Sequence, residues 1–149
     1  MTKYMTKCYL DSNVLIYAKD ETSLKYREAY NLITELVASG TELYISPLCL
    51  DEFLHEFGKK LRLKRSQKSF FFDLEKSLSS ILEFPLLSVI NPPQDSKSQL
   101  EIVNFMKNYL LRPRDAYHLS TMLVNNIDSF ATFDADFEKV FAAKLVSRV

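Results

Sequence analysis

Cys8-Tyr9-Leu10-Asp11-Ser12-Asn13-Val14-Leu15-Ile16-Tyr17 reads as an apolar strand that stops on a carboxylate and turns at once into a helix. Residues 7–10 carry the strand and 13–19 the helix, with Ser12 placed to cap it. A strand running directly into a helix is the unit of parallel sheets, because a parallel partner is reached only through a crossover. The junction recurs along the chain. Leu43-Tyr44-Ile45 leads into Ser46-Pro47, a cap followed by proline at the first helical position. A third strand at 86–90 is stopped by Pro92 and Pro93, and a fourth at 129–133 ends on Asp134.

The helices between them follow from periodicity. Ala29, Tyr30, Ile33, Leu36 and Val37 recur at helical spacing, with Ser23 opening that helix and Gly40 ending it. Leu50, Leu54, Phe57 and Leu61 form the core stripe of the next. Phe70, Phe71, Leu74, Leu78, Ile81 and Leu82 point inward from a helix over 66–83, and Leu100, Val103, Met106 and Leu110 from one over 95–110. Pro113 opens a helix bearing Asp115, Leu119, Met122 and Leu123; a short helix near 136–142 and a strand at 144–148 close the order. The expectation is an α/β fold: a mostly parallel sheet of about five strands with helices on both faces. With no linker or repeat, residues 1–149 are expected to form a single domain.

Composition narrows the function. Nineteen basic residues balance nineteen acidic ones, so any contact with a polyanion must come from a local patch. Cys8 and Cys49 lie in apolar runs outside any CxxC pair, which reads as two buried thiols in a reducing compartment, with cytoplasmic as the expected location. Two histidines without paired cysteines do not make a zinc site. The apolar stretch after Lys7 is broken by Asp11, unlike a signal peptide, and no run reaches the length of a membrane span.

Four acids sit where strand-like runs meet helix-like runs: Asp11, Glu52, Asp115 and Asp134. In open α/β sheets ligands bind beyond the carboxyl ends of the strands, where Asp11 and Asp134 fall. Asp115 lies in the first turn of its helix, where the macrodipole favours an anion. Each acid alone has a structural reading: Asp115 as a dipole-favoured residue, Asp134 as a cap or Asx turn, Glu52 as a solvated helix face. Together they suit a hard, oxygen-preferring cation such as Mg²⁺.

The motifs resemble those of the PIN-domain ribonucleases. Tyr9 to Tyr17 looks like that family's opening motif, Pro113-Arg114-Asp115-Ala116-Tyr117-His118-Leu119 its third, and Ala131-Thr132-Phe133-Asp134-Ala135-Asp136-Phe137 its fourth. The stretch Pro47 to Leu54 fits the second, with the glutamate falling on Glu52. The compact size is similar to the VapC-type toxins of toxin–antitoxin pairs. The resemblance implies a Mg²⁺- or Mn²⁺-dependent endoribonuclease in which Asp11, Glu52, Asp115 and Asp134 are catalytic and hold one or two ions. Asn13, Thr132 and Ser12 would orient these carboxylates. Asp51 and Asp136 are alternative ligands beside Glu52 and Asp134. RNA is the implied substrate, an antitoxin protein the implied partner, and a homodimer the family's expectation.

Lys59, Lys60, Arg62, Lys64, Arg65 and Lys68 form a run without an acid, suited to an RNA backbone and equally to a solvated surface. Arg112 and Arg114 flank Asp115 and can approach a substrate phosphate or pair with acids. His118 reads as satisfied by a nearby carboxylate, and His55 as surface or packing. A PIN-like nuclease serving RNA processing outside a toxin pair and a non-catalytic α/β binding module are the alternatives. A phosphotransfer fold with Asp11 as phosphoacceptor fits less well. A dehalogenase-type site wants a second aspartate where Asn13 stands, and a receiver domain wants a lysine after a late strand, which 128–134 lacks.

Overall fold

Strands and helices alternate along the chain in the computed structural model, which describes residues 6–64 and 67–149, the side chains of Lys64 and Gln67 excepted. The strands are β1 (Lys7–Leu10), β2 (Glu42–Ile45), β3 (Leu87–Val89), β4 (Ser129–Ala131) and β5 (Ser147–Arg148). The helices are α1 (Ser12–Lys19), α2 (Tyr26–Ala38), α3 (Pro47–Lys64), α4 (Gln67–Leu82), α5 (Ser96–Tyr109), α6 (Pro113–Val124) and α7 (Glu138–Ala142), with a 3₁₀ turn at Ala135–Phe137. All strand pairs are parallel, in the order β3-β2-β1-β4-β5. Among the described residues seven helices flank this sheet, as the strand–helix alternation predicts.

β1 is central, and its side chains are buried on both faces: Cys8, Tyr9 and Leu10 are fully enclosed. Its register against β4 sets Leu10 beside Ala131, and the ladder continues one step, with Asp11 N–H donating to the Ala131 carbonyl at 3.0 Å. The strand order thus delivers Asp11 and Thr132 side by side at the carboxyl edge. Phe130 stacks edge-on against Phe137 at 4.7 Å and joins Tyr9 in the core beneath that edge.

Local details depart from the sequence reading. Asp11, not Ser12, caps α1: its carboxylate accepts the Ser12 N–H at 2.7 Å. Ser23 does not cap α2, whose N-cap is Lys25; the Ser23 hydroxyl instead accepts the Lys25 N–H in the preceding turn. Gly40 does end α2, at φ 74°, with the Gly40 and Thr41 amides donating to the Val37 and Leu36 carbonyls. Strands 86–90, 129–133 and 144–148 are each shorter than expected.

Two core stripes shift in phase. α3 buries Cys49, Phe53 and Phe57 most deeply, leaving Leu50, Leu54 and Leu61 half-buried. α5 buries Ile102 and half-buries Phe105, Met106 and Tyr109, while Leu100, Val103 and Leu110 lie exposed. On α4, Phe70 and Ile81 face inward, and Phe71 and Leu82 do not. Each helix is apolar on more than one side, so spacing gives the period but not which side meets the sheet.

Candidate metal centre

Each acid arrives at the sheet edge by its own element. Asp11 follows β1 and is 5% exposed. Its Oδ1 is taken by the Ser12 amide and its Oδ2 by the Thr132 hydroxyl at 2.7 Å, with Asn13 Nδ2 at 3.3 Å. Asn13 also spans to Thr132 Oγ1 at 3.3 Å and accepts the Phe133 N–H at 3.2 Å, tying α1 to the end of β4. Glu52 projects from the second turn of α3. Its Oε1 lies 2.8 Å from His118 Nε2, and its Oε2 accepts the Ser12 hydroxyl at 3.0 Å. Asp115 stands in the first turn of α6, which proline opens at Pro113. Asp134 caps the 3₁₀ turn, accepting the Asp136 N–H at 2.9 Å, and its own N–H donates to Thr132 Oγ1 at 3.0 Å.

Asp11, Glu52, Asp115 and Asp134 line one open cleft of about 320 Å³, together with Ser12, Asn13, Ile16, Tyr17, Glu56 and Lys60. Among the described residues, two sets of side chains bring ligand atoms within 4.8 Å of one another: Asp11, Glu52 and His118, and Asp115, Asp134 and Asp136. Asp136 therefore stands with Asp134 rather than in place of it. Asp51 is in neither set; its exposed carboxylate lies 3.9 Å from Arg114.

Electrostatics show an excess of negative charge. Burial raises the Asp11 carboxyl above its ordinary range, with the His118 charge and the Thr132 hydroxyl opposing. Burial, then the charges of Asp134 and Asp11, push Asp115 up to about 6. Burial alone would raise Glu52 as well, but the His118 hydrogen bond and charge hold it below the usual carboxylate range. Burial lowers His118, yet the Cys49 sulfur, the Glu52 carboxylate and Asp11 raise it well above an ordinary histidine. Asp11 and Asp115, two carboxyls that resist ionising beside the other oxygen ligands of this cleft, fit a hard divalent cation such as Mg²⁺ or Mn²⁺.

The basic run is divided. Lys60 donates to Asp20 at 2.8 Å, sits over the Tyr17 ring, and lines the acidic cleft. Arg62 lies over the Phe70 ring at 4.5 Å, and Lys59 pairs with Glu56 at 3.4 Å. The Lys64 side chain and Arg65 lie outside the described residues. The sequence reading passed over Glu56 and the place of Lys60 in the cleft. Their signal is spacing: Glu52, Glu56 and Lys60 recur every four residues and so share one face of α3. It also passed over Tyr9, whose hydroxyl lies 2.7 Å from His118 Nδ1. No local pattern marks a contact between residues 109 positions apart.

No curated protein matches the chain. Among solved structures it is similar to VapBC2 from Rickettsia felis, determined bound to a DNA fragment from its promoter (TM-score 0.65, 19% identity, covering 97% of this chain and 98% of that one). It is similar to VapC20 of Mycobacterium tuberculosis, a sarcin-ricin loop cleaving toxin (TM-score 0.62, 14% identity, 89% of this chain and 94% of that one). FitAcB from Neisseria gonorrhoeae shares the fold as well (TM-score 0.66, 18% identity, 95% of each chain). The family model for the PIN domain matches residues 8–142, nearly the whole chain. The chain belongs to the PIN domain family.

Proposed function

We propose that this protein is a metal-dependent endoribonuclease that hydrolyses RNA phosphodiester bonds, acting as the toxin of a toxin–antitoxin pair in the cytoplasm. One observation carries the reading: carboxylates from four separate elements open onto a single cleft in which the one lining lysine or arginine among the described residues, Lys60, is itself paired with Asp20. Asp11, Glu52, Asp115 and Asp134, with Asp136 beside them, would hold Mg²⁺ or Mn²⁺. When bound, such an ion neutralises phosphate charge and acidifies a coordinated water.

The chain's own residues do the rest. Thr132, Asn13 and Ser12 fix the Asp11 and Glu52 carboxylates by hydrogen bonds, so the ligands stand in place before any ion arrives. Lys60, held by Asp20 and Tyr17 at the cleft, and the exposed Arg114 supply positive charge along the path of a phosphate backbone. Attack by water requires no covalent enzyme intermediate. RNA is the substrate in this reading and an antitoxin the protein partner. The similarity in fold to a sarcin-ricin loop cleaving toxin supports it.

The test is Mn²⁺-dependent cleavage of RNA by Asp11→Asn and Asp115→Asn. Asparagine still caps a helix, so Asp11→Asn keeps α1 in place. Each variant is expected to lose cleavage to background with an unchanged circular dichroism spectrum. Cleavage that persists at the wild-type rate in both overturns the reading.

A further inference from the structure

Both ring nitrogens of His118 are engaged and the side chain is 1% exposed. Nε2 lies 2.8 Å from Glu52 Oε1, and Nδ1 lies 2.7 Å from the Tyr9 hydroxyl. Behind the ring, the Tyr9 hydroxyl is 2.7 Å from Ser46 Oγ and 3.1 Å from Cys49 Sγ, both buried. An ionised carboxylate only accepts, so the proton of the Glu52 contact sits on Nε2. A ring nitrogen that carries a proton has no electron pair for a metal. By distance His118 belongs to a potential ligand trio with Asp11 and Glu52; by hydrogen bonding it is spoken for.

We propose that His118 is the positioning residue for Glu52: its Nε2–H aims that carboxylate at the cleft, the Tyr9–Ser46–Cys49 network fixes the ring from behind, and the histidine lends the ion no ligand of its own. The proposal rests on the metal-site reading above. Glu52 is then gripped on both oxygens, by His118 and by Ser12, and each oxygen keeps acceptor capacity for an ion. The resulting site offers oxygen alone, the donor set that suits Mg²⁺ and Mn²⁺ over zinc.

Two measurements on the full chain test it. In ¹⁵N spectra the His118 Nε2–H resonance is expected in the ion-free protein and is expected to remain when Mg²⁺ is added to saturation. Its absence, or its loss on adding Mg²⁺, overturns the proposal. Calorimetric titration with Mn²⁺ then compares His118→Gln, whose amide nitrogen can reach the Nε2 position, with His118→Asn, whose amide is too short. The glutamine variant is expected within about threefold of wild type, and the asparagine variant about tenfold weaker or worse, the scale of losing an outer-shell partner. Tyr9→Phe keeps the ring and removes its rear support, so it reads the same role if His118→Asn does not fold; it is expected to weaken Mn²⁺ binding severalfold. Unchanged affinity in the variant that folds, or a glutamine variant as weak as asparagine, overturns the proposal and leaves the nuclease reading standing. Wild-type protein that takes up no Mn²⁺ removes both.

Discussion

Asp11 does two jobs with one carboxylate. It caps α1 through the Ser12 amide and presents its remaining oxygen capacity to the cleft. Replacing it by alanine would mix loss of a cap, about 1 kcal/mol, with loss of a ligand; asparagine separates them. Asp115 shows the electrostatic strain of the same arrangement. Its folded value of about 6 stands above its ordinary 3.8, so ionising it costs the folded state. Stability contributed by protonated Asp115 is therefore lost as pH rises from about 4 through about 6. Asp11 is raised in the same direction. His118, also raised, adds stability below its ordinary 6.5 and gives it up only as pH rises through its higher folded value. Asp20, lowered to about 2 where Lys60 and Thr22 outweigh burial, acts only in acid: its contribution is present above 3.8 and lost as pH falls through about 2. Ion-free protein is thus expected to melt at a higher temperature at pH 5.5 than at pH 7.5, and Mg²⁺ is expected to close the gap at pH 7.5. Asp115→Asn should flatten the dependence. A melting temperature that climbs from pH 5.5 to 7.5 without ions, followed by calorimetry in a chelator, would refute this account. Of the four acids that line the cleft, Asp11 and Asp134 were the most legible, because each directly follows a strand; Glu52 sits in the second turn of α3, and Asp115 opens a helix that follows another helix, α5, rather than a strand. The hydrogen-bond partners of these acids were not legible, because Glu52 meets His118 and Asp11 meets Thr132 only through the register of the folded sheet.

At the scale of elements, the junctions were readable and the helix faces were not. Caps, prolines and glycine mark ends locally: Pro47 and Pro113 open α3 and α6, and Gly40 closes α2. Facing is a tertiary property. On α5 the apolar residues 100, 102, 103, 105, 106, 109 and 110 cover most of the helix circumference, and periodicity selected Leu100, Val103, Met106 and Leu110, of which the fold half-buries Met106 and leaves the other three at 72%, 62% and 68% exposure. Ile102, at 4% exposure, holds the helix to the core. Ile102→Ala is expected to cost about 2–5 kcal/mol in urea unfolding, whereas Leu100→Ser should stay within about 0.5 kcal/mol. Equal losses from the two would mean that the Leu100 face is covered in solution. α6 was read more successfully: of the residues expected inward, Leu119 and Met122 are fully buried beside Ala116 and Leu123 is half-buried.

For the whole molecule, the alternation of strands and helices was enough to expect a parallel sheet, because each parallel pairing requires a crossover. Strand order was not readable, and it is strand order that assembles the cleft. Placing β1 between β2 and β4 sets Asp11, the first of the four cleft acids in the chain, beside Asp134, the last of them. The same order divides the protein along a seam. β1, β2 and β3 with α1 to α4 come before residue 91; β4, β5 and α5 to α7 come after residue 95. Asp11 and Glu52 belong to the first half, and Asp115, Asp134 and Asp136 to the second. The connection at 91–94, exposed at Asn91 and Gln94 and ending before Asp95 caps α5, is a place where the chain can be cut with both blocks kept whole. Two such fragments would meet through complementary backbone ladders yet present like-charged edges to each other. Their reassociation should therefore tighten when Mn²⁺ is supplied and weaken in chelator, making the ion a rivet between two pieces neither of which carries its complete socket.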